Sequence, residues 1–145
     1  MQLIRVIYSA QIVGLLLFLL VALYLSKSSP TFEFNLEDPF TIIVLFIQIA
    51  IPVGYIYSNK IFKSYEPNGT LKEKLPKFQL GLIIRLAFIQ GAGLFSIVCL
   101  LLSSNLYFVI FTSFALILMI LNYPTPEKIG ETMDLTPAEI ELLKK

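Results

Sequence analysis

The chain has 145 residues, 57% hydrophobic and 14% charged, with a formal net charge of +1, no histidine, no tryptophan and one cysteine. Soluble domains carry about a quarter of their residues as charges, and a chain this short would leave much of its apolar area in water, so an ordinary globular protein is excluded and lipid is the natural solvent. The near-zero charge excludes a basic field for nucleic acid, and the lack of His beside a single Cys leaves too few ligands for the usual zinc, haem or Cys-His sites.

Four apolar runs follow in chain order: Leu3 to Leu25, Phe40 to Tyr57, Phe78 to Leu102, and Leu106 to Tyr123. Each is at or near the roughly 20 residues that cross a hydrocarbon core of about 30 Å. Helices are required, because lipid offers no partner to an open backbone group, and the polar alternation of a barrel strand is missing. The first run is longer than the apolar core of a signal peptide and no small-x-small site precedes Ser26, so it is expected to be retained as a helix.

The connections carry the local signals. Thr31 to Leu36 alternates polar and apolar residues, so Phe32, Phe34 and Leu36 rest on the bilayer, on the chain's own helices, or on a partner's sheet edge. Asp38-Pro39 reads as a cap and a first-turn proline for the second span. Pro76 reads as the same device for the third, and Ser103-Ser104-Asn105 as a tight turn with Asn105 capping the fourth. Asn68-Gly69-Thr70 is formally a glycosylation triplet, but on the lysine-rich connection it reads as a turn. Tyr8, Tyr24, Tyr55, Tyr57, Tyr107 and Tyr123 fall near span ends, as interfacial aromatics do. After residue 123, Thr125-Pro126-Glu127 and Thr136-Pro137-Ala138-Glu139 repeat one capping logic and predict short helices over 126–133 and 137–144.

Lysine placement sets the expected orientation. Lys60, Lys63, Lys72, Lys74 and Lys77 lie on the middle connection, Lys128, Lys144 and Lys145 on the tail, and Arg5 near the start. The first connection has only Lys27 against Glu33, Glu37 and Asp38. The positive-inside bias puts both termini and the middle connection in the cytoplasm. The expected architecture is an all-α polytopic membrane protein: a four-helix transmembrane bundle of two antiparallel hairpins over 1–123 and a cytoplasmic helical tail over 124–145, in the cytoplasmic (inner) membrane. The first and third spans both carry an Arg near their start (Arg5, Arg85), then a Gln with a Gly three residues on (Gln11 and Gly14, Gln90 and Gly93). That pattern fits either a duplicated hairpin or chance within a restricted alphabet.

All ten acidic residues lie outside the spans, which argues against autonomous ion coupling and paired-carboxylate chemistry at membrane depth. No catalytic constellation, metal site or cofactor is expected. The intramembrane amides Gln11, Gln48 and Gln90 carry donors and acceptors that lipid cannot satisfy, so they serve as glue between helices or line a polar cavity. Pro52 removes the hydrogen bond to the Gln48 carbonyl, which reads as a packing kink or as a hinge. Gly91 and Gly93, with Ala87 and Ala92, thin the third span and mark it as the most buried. Arg85 lies about a turn and a half into that span, where it either snorkels to headgroups or pairs with a partner's carboxylate or a lipid phosphate. Ile129, Met133, Leu135, Ile140 and Leu143 form the tail's apolar side, which docks a cytoplasmic partner or packs back on the chain. Cys99 reads as a small buried hydrophobe.

The run from Arg85 through Gln90-Gly91 to Leu94-Phe95, with the tail segment Tyr123-Pro-Thr-Pro-Glu-Lys-Ile, resembles a group of small four-helix inner-membrane proteins to which no activity is attached. In that group an acidic residue often stands at the Gln90 position, which resembles the helix carboxylate of rotary-ATPase proteolipids. Gln90 cannot carry a proton, and a Gly-x-Gly-x-Gly stripe is missing, so the resemblance implies no ring role. The expected function is a non-catalytic structural or accessory membrane subunit that contacts lipid and either a protein partner or its own copies. The alternative is a small transporter or channel-like protein using Gln48, Pro52 and Gln90.

Overall fold

A computed structural model describes residues 2–26, 30–64 and 69–144. Lys27, Asn68 and Lys145 lie outside the described residues. The described chain is helical: α1 (Gln2–Leu25), α2 (Pro39–Gln48), α3 (Ala50–Phe62), α4 (Leu71–Ser103), α5 (Phe108–Leu121), α6 (Pro126–Met133) and α7 (Pro137–Lys144). Three stretches are long and apolar enough to cross a membrane, namely Leu3–Leu25, Pro39–Phe62 and Leu71–Ser103. A fourth arises only if α5 and α6, bent by 79° at their junction, count as one.

Capping chemistry sets most boundaries. Asp38 accepts the Phe40 N–H at 3.1 Å and Pro39 opens α2. At α3 the chain restarts after Ile49, because Pro52 has no N–H for the Gln48 carbonyl. That second stretch runs on to Phe62, five residues beyond the expected Tyr57. The third helix also departs from expectation at its start. Thr70 and Glu73 form a reciprocal capping box, with the Thr70 N–H on Glu73 Oε2 at 2.8 Å, so α4 begins at Leu71 and Pro76 lies inside it. Pro76 leaves the Lys72 carbonyl without its i→i−4 partner, while the reciprocal box satisfies the first-turn donors. α5 is shorter than its apolar run: Leu106 and Tyr107 turn into it, and Asn122 ends it.

The third span, α4, is the central element. It packs on α1, α2, α3 and α5, and 44% of its most apolar stretch is buried, against 22% for each of the other two long spans. Paired residues give the directions. Gln48 meets Ser96 while Ser58 meets Arg85, so α2 and α3 run antiparallel to α4. Thr112 reaches Gly93 while Asn122 reaches Arg85, so α5 does too. Leu15, Ile89, Ile97, Leu100 and Phe108 fill the space between.

At one end the Tyr8 hydroxyl donates to the Met119 carbonyl at 2.7 Å, Lys77 Nζ to the Ser64 carbonyl at 2.6 Å, and Lys74 Nζ to the Met133 carbonyl at 3.5 Å. The start of α1, the lysine-rich connection and the tail therefore share that end. At the other, Thr31 pairs with the turn before α5: its N–H donates to the Ser104 carbonyl at 3.1 Å and its carbonyl accepts from Leu106 at 2.8 Å. Asn105 clamps this pairing rather than capping α5 directly. Its Nδ2 donates to the Glu33 carbonyl at 2.7 Å, and its Oδ1 accepts from Tyr107 N–H at 3.0 Å. Phe32 and Phe34 each touch the Tyr107 ring, yet both, with Leu36, remain exposed.

Candidate functional site

The densest polar constellation surrounds Arg85. Its Nε donates to Ser58 Oγ at 2.9 Å, one terminal nitrogen to Asn122 Oδ1 at 3.0 Å and the other to Asn59 Oδ1 at 2.7 Å. The guanidinium also sits 4.4 Å from the Tyr55 ring centre and 4.9 Å from that of Phe62. Asn122 Nδ2 in turn donates to the Tyr55 hydroxyl and to the Leu118 carbonyl. One cation thus joins α3, α4 and the end of α5 through neutral acceptors alone. Within the chain Arg85 is half-buried and held by three neutral side-chain acceptors, where the sequence suggested headgroups, a partner's carboxylate or a lipid phosphate. Its partners Tyr55, Ser58, Asn59 and Asn122 are absent from the candidates that the sequence alone suggests. The available signal was three polar residues at the same end of three different spans.

Beside this cluster Tyr8 is buried (2% exposed), with its ring edge-on to Tyr123 at 5.5 Å. Tyr8 therefore ties α1 to the end of α5. Tyr24 and Tyr57 are exposed.

The three glutamines of the apolar runs separate. Gln48 Nε2 donates to Ser96 Oγ at 3.4 Å, a bond from α2 to α4, while its Oε1 is buried with no partner among the described residues. Gln11 Oε1 and Arg5 Nε are likewise buried and unpartnered. Gln90 is partly buried and is not drawn into the Arg85 cluster. Pro52 is exposed on the outer side of the Ile49 break.

The glycines separate as well. A Cβ on Gly93 would stand 3.0 Å from the Ala115 Cβ and 3.2 Å from Leu15, and the Gly93 carbonyl accepts from the Thr112 hydroxyl at 3.3 Å. Gly93 thus lets Ala115 of α5 and Leu15 of α1 pack closely on α4. Gly91 is exposed with nothing within 4 Å of an added Cβ, and the same holds for Gly14. Within this chain, Gly91 is no helix contact. Gly54, unremarked in its packing role, has Phe88 Cβ 2.5 Å from where its own Cβ would be.

The tail's apolar residues fold inward. Ile129, Met133, Leu135 and Leu143 are buried and Ile140 is partly so, with Gly130 admitting the Ile140 side chain. α6 packs on α7 and against α4, whose buried Lys74 reaches the Met133 carbonyl. Among the described residues no cluster of His, Cys, Asp or Glu has the makings of a metal site, and Cys99 is buried. Comparison with protein-family models, with curated proteins and with solved structures finds no match to this chain.

Proposed function

We propose that the chain crosses the cytoplasmic membrane four times as two antiparallel hairpins, with both ends and the lysine-rich connection in the cytoplasm. We propose further that it acts as a non-catalytic structural or accessory subunit, packing with its own copies or with a larger membrane complex. The α5 stretch supports a fourth crossing through its antiparallel run along α4 from Gly93 to Arg85. The gathering of the α1 start, the middle connection and the tail at one lysine-bearing end supports the orientation.

One observation carries the accessory role. Gly54, Gly81 and Gly93 are filled by neighbouring side chains, whereas Gly91 and Gly14 stand open on the outer surface of α4 and α1. Small residues on a lipid-facing surface permit another backbone to approach closely, and dispersion and weak hydrogen bonds then hold the pair. The occupant is a transmembrane helix of a partner or of a second copy. Native protein extracted in mild detergent should migrate as a defined oligomer or with a partner, and Gly91→Leu should dissociate it while the monomer stays folded. A monomeric wild type with nothing co-purifying would end this reading.

The transporter reading draws on the unpartnered oxygens of Gln11 and Gln48, which water in a polar path would satisfy. It predicts solute flux into liposomes that Gln48→Leu abolishes.

A further inference from the structure

Between the lysine-bearing end of the bundle and α6 lies a cavity of about 180 Å³. One wall is apolar (Phe62, Phe78, Leu82), and the other carries Arg85, Asn122, Lys128, Glu131 and Thr132. A single water needs only about 10–15 Å³ of such space, so the cavity has room for a ligand. Donors dominate its polar wall. A guanidinium has five N–H groups, and Ser58, Asn59 and Asn122 accept three of them from Arg85. Lys128 Nζ spends one of its three on the Leu121 carbonyl at 2.5 Å. The Thr132 hydroxyl donates to the Lys128 carbonyl at 2.7 Å, which holds that side of the wall in place. Against the two cations stands one lining carboxylate, Glu131.

Arg85 is also pre-positioned. Two aromatic rings and three neutral acceptors hold its plane, so its charge is oriented without being cancelled. Two cations from different helices, each with donors to spare, suit an anion with several oxygens on one centre.

We propose that this cavity binds a phosphate-bearing anion, with Arg85 and Lys128 as its cationic contacts. The proposal uses the membrane-embedded part of the preceding reading and asks nothing of a protein partner, so binding and co-purification fail independently. The source of the phosphate is a phospholipid headgroup or a soluble phosphate. The test is native mass spectrometry of the full chain in detergent, titrated with dioctanoyl phosphatidylglycerol, dioctanoyl phosphatidylcholine and inorganic phosphate. One saturable equivalent of phosphatidylglycerol, held in preference to phosphatidylcholine, identifies a headgroup. One equivalent of inorganic phosphate without lipid preference identifies a soluble ligand.

Lys128→Gln should weaken binding about tenfold, the scale of one charge-assisted hydrogen bond, and Glu131→Gln should strengthen it. Lys72→Gln, on an exposed lysine away from the cavity, should change nothing. The gain from Glu131→Gln keeps the test decisive should Lys128→Gln unfold the tail. No saturable binding of either probe, equal losses from Lys128→Gln and Lys72→Gln, or no gain from Glu131→Gln would each overturn the proposal.

Discussion

Arg85 and the glycines show how single residues divide the work inside an apolar bundle. A half-buried guanidinium loses part of its hydration, a cost offset here by three hydrogen bonds to neutral side chains and by two ring faces. Asn122 sits in the middle of that arrangement, accepting from Arg85 while donating to Tyr55. Asn122→Leu should therefore cost about 1–3 kcal/mol, the penalty of leaving buried polar groups unpaired, read as a lower melting temperature in detergent. The glycines predict a graded series. At Gly54 the obstacle is Phe88 Cβ, fixed to its backbone, whereas at Gly130 it is the far end of Ile140. Gly54→Ala should destabilise most, by about 1–3 kcal/mol as overpacking does, and Gly130→Ala less. At Gly91, where nothing is within 4 Å, Gly91→Ala should stabilise the monomer by about 0.5–1 kcal/mol through helix propensity.

At the scale of elements, helix ends follow short-range chemistry and can be tested one by one. Glu139 accepts from both the N–H and the hydroxyl of Thr136, at 2.8 and 2.9 Å, and these bonds hold its carboxyl below the ordinary carboxylate range. Because the folded group binds its proton more weakly than the frayed one, its contribution to α7 is complete above the ordinary glutamate value of about 4.3. That contribution is lost as pH falls through the lower folded value. Carbon chemical shifts of residues 137–143 should report a helix at neutral pH that frays in acid, and Glu139→Gln should fray it at neutral pH as well. The same capping logic explains α4: the Thr70–Glu73 box starts that helix seven residues before its apolar run. The α2–α3 break is the converse case, where a proline's missing N–H interrupts an otherwise continuous apolar stretch at Ile49.

For the molecule as a whole, the organising fact is one central helix, α4, on which α1, α2, α3, α5 and the tail helix α6 all pack. The residues that let α1 and α5 approach it are concentrated at Gly93, and those that bind its lysine-rich end are concentrated at Arg85. With the tail packed on α4, residues 69–77 and 124–144 should respond to an impermeant label on the same side of the membrane. Single cysteines at Lys72 and Glu141, each in a Cys99→Ala background, provide the measurement. Labelling of the two from opposite sides would break the proposed topology.

The helical character, the long apolar stretches and the two-helix tail were legible in the sequence, because hydropathy and capping act over a few residues and need no neighbour. Asp38-Pro39, Thr125-Pro126 and Thr136-Pro137 announce their helices in this way. The start of α4 was missed because an apolar-run criterion cannot see a polar turn that is capped into the same helix. Which glycine is crowded and which is open, and that Tyr8 ties α1 to α5, depended on the rotation of each helix about its axis. Near-uniform apolar sequence barely encodes that rotation. Close packing of particular side chains sets it, and that exists only once the helices are assembled.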